Sequence, residues 1–126
     1  MAKYVDGFVF VVQNDKTEEY IKMAEEGAKF WKRHGALEYF ECRGDDLIPK
    51  AMGDDMPFAF PALANAKADE TVWFSFIIFK SKQHRDEVNA KVNEEMEKDM
   101  EKYKDLPMPF DMKRMAYGGF EVLVEG

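Results

Sequence analysis

Four stretches of the chain are rich in β-branched and aromatic residues, and two longer ones between them repeat apolar residues at helical spacing. Tyr4 to Val12 reads as a strand, bounded by the turn-forming Gln13-Asn14-Asp15. From Lys16 to His34 the apolar stripe Tyr20, Met23, Ala24, Gly27, Phe30 and Trp31 predicts a one-sided helix, with Asn14 or Asp15 near its N-cap. Lys32, Arg33 and His34 suit the negative C-terminal end, and Gly35 stands where a left-handed stop belongs. Ala36 to Arg43 then reads as a second strand that turns at Gly44-Asp45-Asp46. The order repeats. Glu70 to Phe79 is a strand, Ser81 caps a helix beginning near Lys82, and Val88, Val92, Met96, Met100 and Tyr103 keep helical spacing along it. That helix is either long or broken near Asn93; Leu106-Pro107-Met108-Pro109 ends it, and Met115 to Val124 is the last strand.

This β-α-β-β-α-β order is the ferredoxin-like, α+β arrangement, with a four-stranded antiparallel sheet. Its first and third strands should lie at the centre, and both are apolar on two sides. Val72, Phe74, Phe76 and Ile78 alternate with Trp73, Ile77 and Phe79; Tyr4, Phe8, Phe10 and Val12 alternate with Val5, Val9 and Val11. Helices cover one face of such a sheet, so the other apolar face calls for a second cover. The simplest is the same face of a second copy: a homodimer, two sheets closing a dimeric α+β barrel. One segment exceeds the minimal fold. Residues 44–69 form a long connection with two Gly-Asp-Asp repeats and the apolar run Met56-Pro57-Phe58-Ala59-Phe60-Pro61, too apolar to stay solvated. It is expected to fold over one end of the barrel or to extend the sheet.

A length of 126 residues suits one domain, 1–126. At 14.7 kDa, a compact fold exposes roughly 6,900 Å² and buries about two thirds of the extended chain's surface. The content of 46% apolar and 14% aromatic residues excludes a disordered chain. A net charge of −7 argues against nucleic acid as a partner. No apolar run approaches the roughly 20 residues of a membrane span, and Asp6 and Gly7 interrupt any secretory leader. The lone Cys42 forms no internal disulfide, is expected to be an inert buried thiol, and points to a reducing cytoplasm.

Several polar residues stand where chemistry could use them. His34 is either a general base one turn from Trp31 or a cation complementing the helix end. Asp6, Tyr39, Glu41 and Tyr117 are polar groups in apolar strands, and Asp6 and Glu41 could share a cavity whose burial raises a carboxyl pKa. Edge exposure and a turn hydrogen bond are the structural alternatives. Arg85 and Asn89 are i, i+4 neighbours that could hold a ligand or, with Asp86, form an ion-pair and capping network. Asp111 and Arg114 allow a similar pairing. His34, Cys42 and His84 are too scattered for a zinc site, and no motif calls for a cofactor.

The stretches Tyr4-Val5-Asp6-Gly7-Phe8, Trp31-Lys32-Arg33-His34-Gly35-Ala36-Leu37-Glu38-Tyr39, Lys80 to Val92, and Met108-Pro109-Phe110-Asp111-Met112 through Gly118-Gly119-Phe120 resemble the YbaA-like family. These are bacterial proteins of unknown function in the dimeric α+β barrel superfamily. The resemblance spans nearly the whole chain apart from Pro49–Phe58. It implies the fold and the dimer but no reaction, since the superfamily holds cofactor-free monooxygenases, lactone isomerases, haem-degrading enzymes and plain binders. The expectation is a homodimer binding a small apolar or aromatic molecule, with Trp31, Tyr39, Glu41, Arg85, Asn89 and Tyr117 around it. Two alternatives stand beside it: a cofactor-independent monooxygenase or isomerase with His34 or Asp6 as catalytic base, and a non-catalytic structural or interaction protein.

Overall fold

The computed structural model describes residues 2–104 and 108–126. Strand β1 (Tyr4–Gln13) leads through a 3-10 turn to helix α1 (Thr17–Arg33) and strand β2 (Glu38–Arg43). After the connection and its one-turn helix α2 (Phe60–Leu63) come β3 (Glu70–Phe79), α3 (Lys82–Lys98), the short α4 (Met100–Tyr103) and β4 (Ala116–Glu121). The strands form one antiparallel sheet in the order β2-β3-β1-β4, so the two doubly apolar strands are the central pair.

Local chemistry explains most boundaries. Gly35 adopts φ +114° just past α1, and the Ala36 N–H donates back to the Trp31 carbonyl at 3.0 Å, closing the left-handed cap. That cap draws Ala36 under the helix into the core, which is why β2 begins at Glu38 rather than Ala36. At the other end the expected Asn14 or Asp15 cap is not formed. Both lie in the 3-10 turn, and Lys16 occupies the N-cap position without a side-chain bond. Ser81 does cap α3, accepting from the His84 N–H at 3.1 Å. The helix runs through Asn93 and ends at Lys98; the Leu106-Pro107 stop lies outside the described residues.

Strand parity sends Tyr4, Asp6, Phe8, Phe10 and Val12 of β1 and Trp73, Ser75, Ile77 and Phe79 of β3 toward the helices. There Phe30, Ala36, Ile77, Phe79, Val88 and Val92 form one core cluster, and Phe10, Val12, Tyr20, Ala24 and Trp73 another. Each fully buried large side chain contributes about 1.5–3 kcal/mol. The opposite face carries Val5, Val9, Phe40, Cys42, Phe74, Phe76, Ile78 and Phe120, and among the described residues no layer covers most of it. Cys42 is therefore exposed rather than buried, because its face is the uncovered one. The connection adds no strand to the sheet and folds over one end of this face. Arg114 pairs not with Asp111 but with Glu70, and Asp111 caps the Lys113 N–H.

Candidate functional site

Two polar clusters lie between the helices and the sheet. The first centres on Asp6, 1% exposed on β1. Its Oδ1 accepts from Arg85 Nη1 at 3.0 Å and its Oδ2 from Asn89 Nδ2 at 3.2 Å. Arg85 and Asn89 are one turn apart on α3, so a single helix face supplies both donors. Asn89 Oδ1 in turn accepts from the Trp31 indole N–H at 2.9 Å, which ties in α1. Arg85 Nη1 also donates to the Tyr117 hydroxyl at 3.0 Å, and its guanidinium lies 4.9 Å over the Tyr4 ring. Its Nε sits 2.8 Å from an Asp86 oxygen, as an ion pair outside hydrogen-bond alignment. Tyr117 stacks on Phe8 at 4.9 Å, and burial followed by the Asp6 charge pushes its phenol pKa up. Asp6, Trp31, Arg85, Asn89 and Tyr117 are thus one network. It joins α1 and α3 to β1 and β4, with its carboxylate enclosed.

The second cluster centres on Glu41. Parity puts Glu41 of β2 beside Ser75 of β3 on the helix side, under α1. The Tyr20 hydroxyl reaches both carboxylate oxygens, at 2.8 Å and 2.5 Å. Burial raises the Glu41 pKa above its ordinary 4.5, against the lowering effect of hydrogen bonds from Tyr20 and Ser75. The phenols of Tyr20 and Tyr39 are pushed up as well, by burial first and the Glu41 charge second. Over this cluster lies an open cleft of about 480 Å³. Ile21, Ala24, Glu25 and Ala28 of α1 wall it; Tyr39, Glu41, Arg43 and Trp73 line the sheet side. Gly27 lets the Tyr39 hydroxyl approach α1, since a Cβ there would stand 3.0 Å from it. Among the described residues, the buried indole N–H of Trp73 has no hydrogen-bond partner.

The two clusters touch through Trp31, whose ring lies 6.0 Å from that of Tyr39. Asp6 and Glu41 share the helix-facing side of the sheet with β3 between them, and the cleft is lined by Glu41 and not by Asp6, whose carboxylate is enclosed. His34 belongs to neither. Its Nε2 meets Glu95 of α3 at 2.5 Å, and Arg33 reaches the same carboxylate at 2.7 Å. Sequence reading missed Tyr20, Ser75 and Trp73 as site residues, since each fits an apolar stripe or strand. The available signal was parity: Glu41 and Ser75 both fall on the helix-facing register. Among the described residues, no three His, Cys, Asp or Glu side chains gather as metal ligands.

Residues 3–112 match the family described as "Protein of unknown function (DUF1428)". The chain is 40% identical over 123 residues to the uncharacterized protein YbaA of Escherichia coli strain K12, covering 98% of each chain. The YbaA of Shigella flexneri matches to the same extent. Among solved structures, its fold is similar to that of a dimeric ferredoxin-like protein from an uncultured marine organism. That match has a TM-score of 0.52 at 12% identity over 100% of both chains.

Proposed function

The chain belongs to the DUF1428 family of YbaA-like proteins, and from that premise we propose that it is a homodimeric protein binding a small apolar or aromatic molecule. The observation that carries the binding is the cleft over Glu41. It has the size of a small-molecule site, a helix wall of Ile21, Ala24 and Ala28 interrupted by Glu25, aromatic side chains and a few polar groups at its floor. A planar ligand stacked on Tyr39 could donate a hydrogen bond to Glu41 and present a negative or carbonyl group to Arg43 at the rim. The unpartnered Trp73 N–H adds a donor just beneath. Dimerisation through the open sheet face is supported by its exposed aromatics and by the solved ferredoxin-like structure being described as dimeric. In this reading the protein acts as one domain in the reducing cytoplasm.

The test is a thermal-shift screen against phenols, quinones, lactones, haem and divalent metals. A ligand at 100 times its dissociation constant stabilises the fold by about 2.7 kcal/mol. The expected result is a hit whose shift is lost in Tyr39→Ala and weakened in Glu41→Gln. Silence across the panel, or a hit indifferent to both changes, would overturn the assignment. One observation favours a second reading, acid–base catalysis of the oxygenase or isomerase type: the raised carboxyl that lines the cleft is Glu41, whereas Asp6 is enclosed and His34 is held by Glu95. Turnover of the bound compound that disappears in Glu41→Gln while binding persists would select it.

A further inference from the structure

We infer that the 44–69 connection is an arm whose apolar side chains pack on the second copy of this chain; the inference rests on the dimer reading above. The root of the arm is anchored to its own sheet. The Gly44 N–H donates to the Val72 carbonyl at 2.7 Å, and Leu47, Ile48, Pro61 and Ala66 line a cleft of about 390 Å³ against Val72. Val11 and Val72 point toward the open face yet are only 3% exposed, so the root crosses to that side. Beyond the root the chain reverses at Gly53, where φ is +67°, closed by paired backbone bonds between Met52 and Asp55. In and around this turn, Ile48, Met52, Met56, Phe58 and Leu63 are 60–83% exposed, each with most of its apolar surface open to water.

Area identifies the occupant. The sheet is about 19 Å wide at ~4.8 Å per strand, and its strands of six to ten residues average about 26 Å in length. Its planar outline is therefore about 500 Å², part of it already under the arm's root, so the face left free for a partner is smaller than the whole sheet, whereas a stable interface takes about 800 Å² of accessible surface from each partner. The whole chain exposes 9001 Å², against roughly 6,900 Å² for a compact monomer of its mass. The exposed side chains of the arm carry part of that excess. The arm's exposed apolar side chains continue from a root that lies on that face, and they extend the contact available to a second copy. Asp54 and Asp55 keep the tip in water, so the arm lies along the partner's surface rather than inserting end-on.

Sedimentation and cross-linking together decide the matter. The wild-type chain, the arm variant Met56→Glu/Phe58→Glu and the sheet-face variant Phe74→Glu are compared by analytical ultracentrifugation, with circular dichroism to verify folding. The expected result is a wild-type dimer that both variants weaken at least a hundredfold. In parallel, Phe58→Cys in a Cys42→Ser background carries a benzophenone label in a mixture of ¹⁵N-labelled and unlabelled subunits. Peptides joining heavy to light chains are expected. An arm variant that dimerises as tightly as wild type, or cross-links confined to single chains, overturns the arm's role and leaves the dimer standing. A wild-type monomer at micromolar concentration overturns the dimer reading and the arm with it.

Discussion

Glu41 and Glu70 are carboxylates on neighbouring strands with opposite environments. Glu41 faces a phenol in an apolar layer and takes protons more readily than a free side chain. The folded state therefore binds that proton more tightly than the unfolded one, so stability declines as pH rises from about 4.5 through the raised value. Glu70 sits in a fork from Arg114, with Nη1 at 2.6 Å and Nη2 at 2.9 Å. The Arg114 bonds, opposed by burial and aided by the Lys67 N–H, hold its pKa down to about 2. Its contribution is fully present above 4.5 and is lost as pH falls toward 2. One series of thermal melts checks both. Glu41→Gln, which keeps an acceptor for Tyr20, should gain on wild type as pH rises above 4.5. Glu70→Gln should trail wild type at neutral pH and meet it at the acid end. Parallel curves at all pH values would contradict both assignments.

At the scale of elements, α3 is the strut that fastens the molecule. Its first two turns bring Arg85 and Asn89 to the enclosed Asp6, and its far end brings Glu95 to His34. The Asp6 bonds join parts of the chain about 80 residues apart. Removing the carboxylate leaves the largely buried Arg85 guanidinium with only the exposed Asp86 as its charge partner and takes the acceptor from Asn89, so Asp6→Ala should cost about 3 kcal/mol in denaturant melts. Asp6→Asn, which keeps one acceptor oxygen, should cost clearly less. The His34–Glu95 pair is more exposed, and His34→Ala should change stability by less than about 1 kcal/mol. These elements were legible to different degrees. Ser81, Gly35 and the doubly apolar strands carry their reasons within a few residues, so the β3 boundaries and the start of α3 follow from sequence alone. The Asp6 network does not, because it depends on which turn of α3 meets β1. Cys42 misled for a similar reason: its face was readable, but whether that face was covered depended on something beyond the chain.

At the scale of the whole molecule, the open face and the arm make folding and assembly one problem. If a second copy buries them, part of the stability belongs to association, and the melting temperature must rise with protein concentration. A hundredfold increase from the low micromolar range should raise the melting temperature of wild type by several degrees and leave Phe74→Glu unmoved. A midpoint independent of concentration would place all the stability in the single chain.

The pairing of β1 with β4 carries a consequence for the order of events during synthesis. Tyr4 lies opposite Glu121 and Val9 opposite Ala116, so the central strand waits for a neighbour made more than a hundred residues later. At roughly 5–20 residues per second, that wait lasts about 5–20 s. Meanwhile one side of β1, bearing the unpaired backbone of a strand rich in Val and Phe, stands open to other nascent chains. A ribosome pausing after α3 would prolong that interval, and chaperone engagement should peak there and fall once Ala116–Glu121 has emerged.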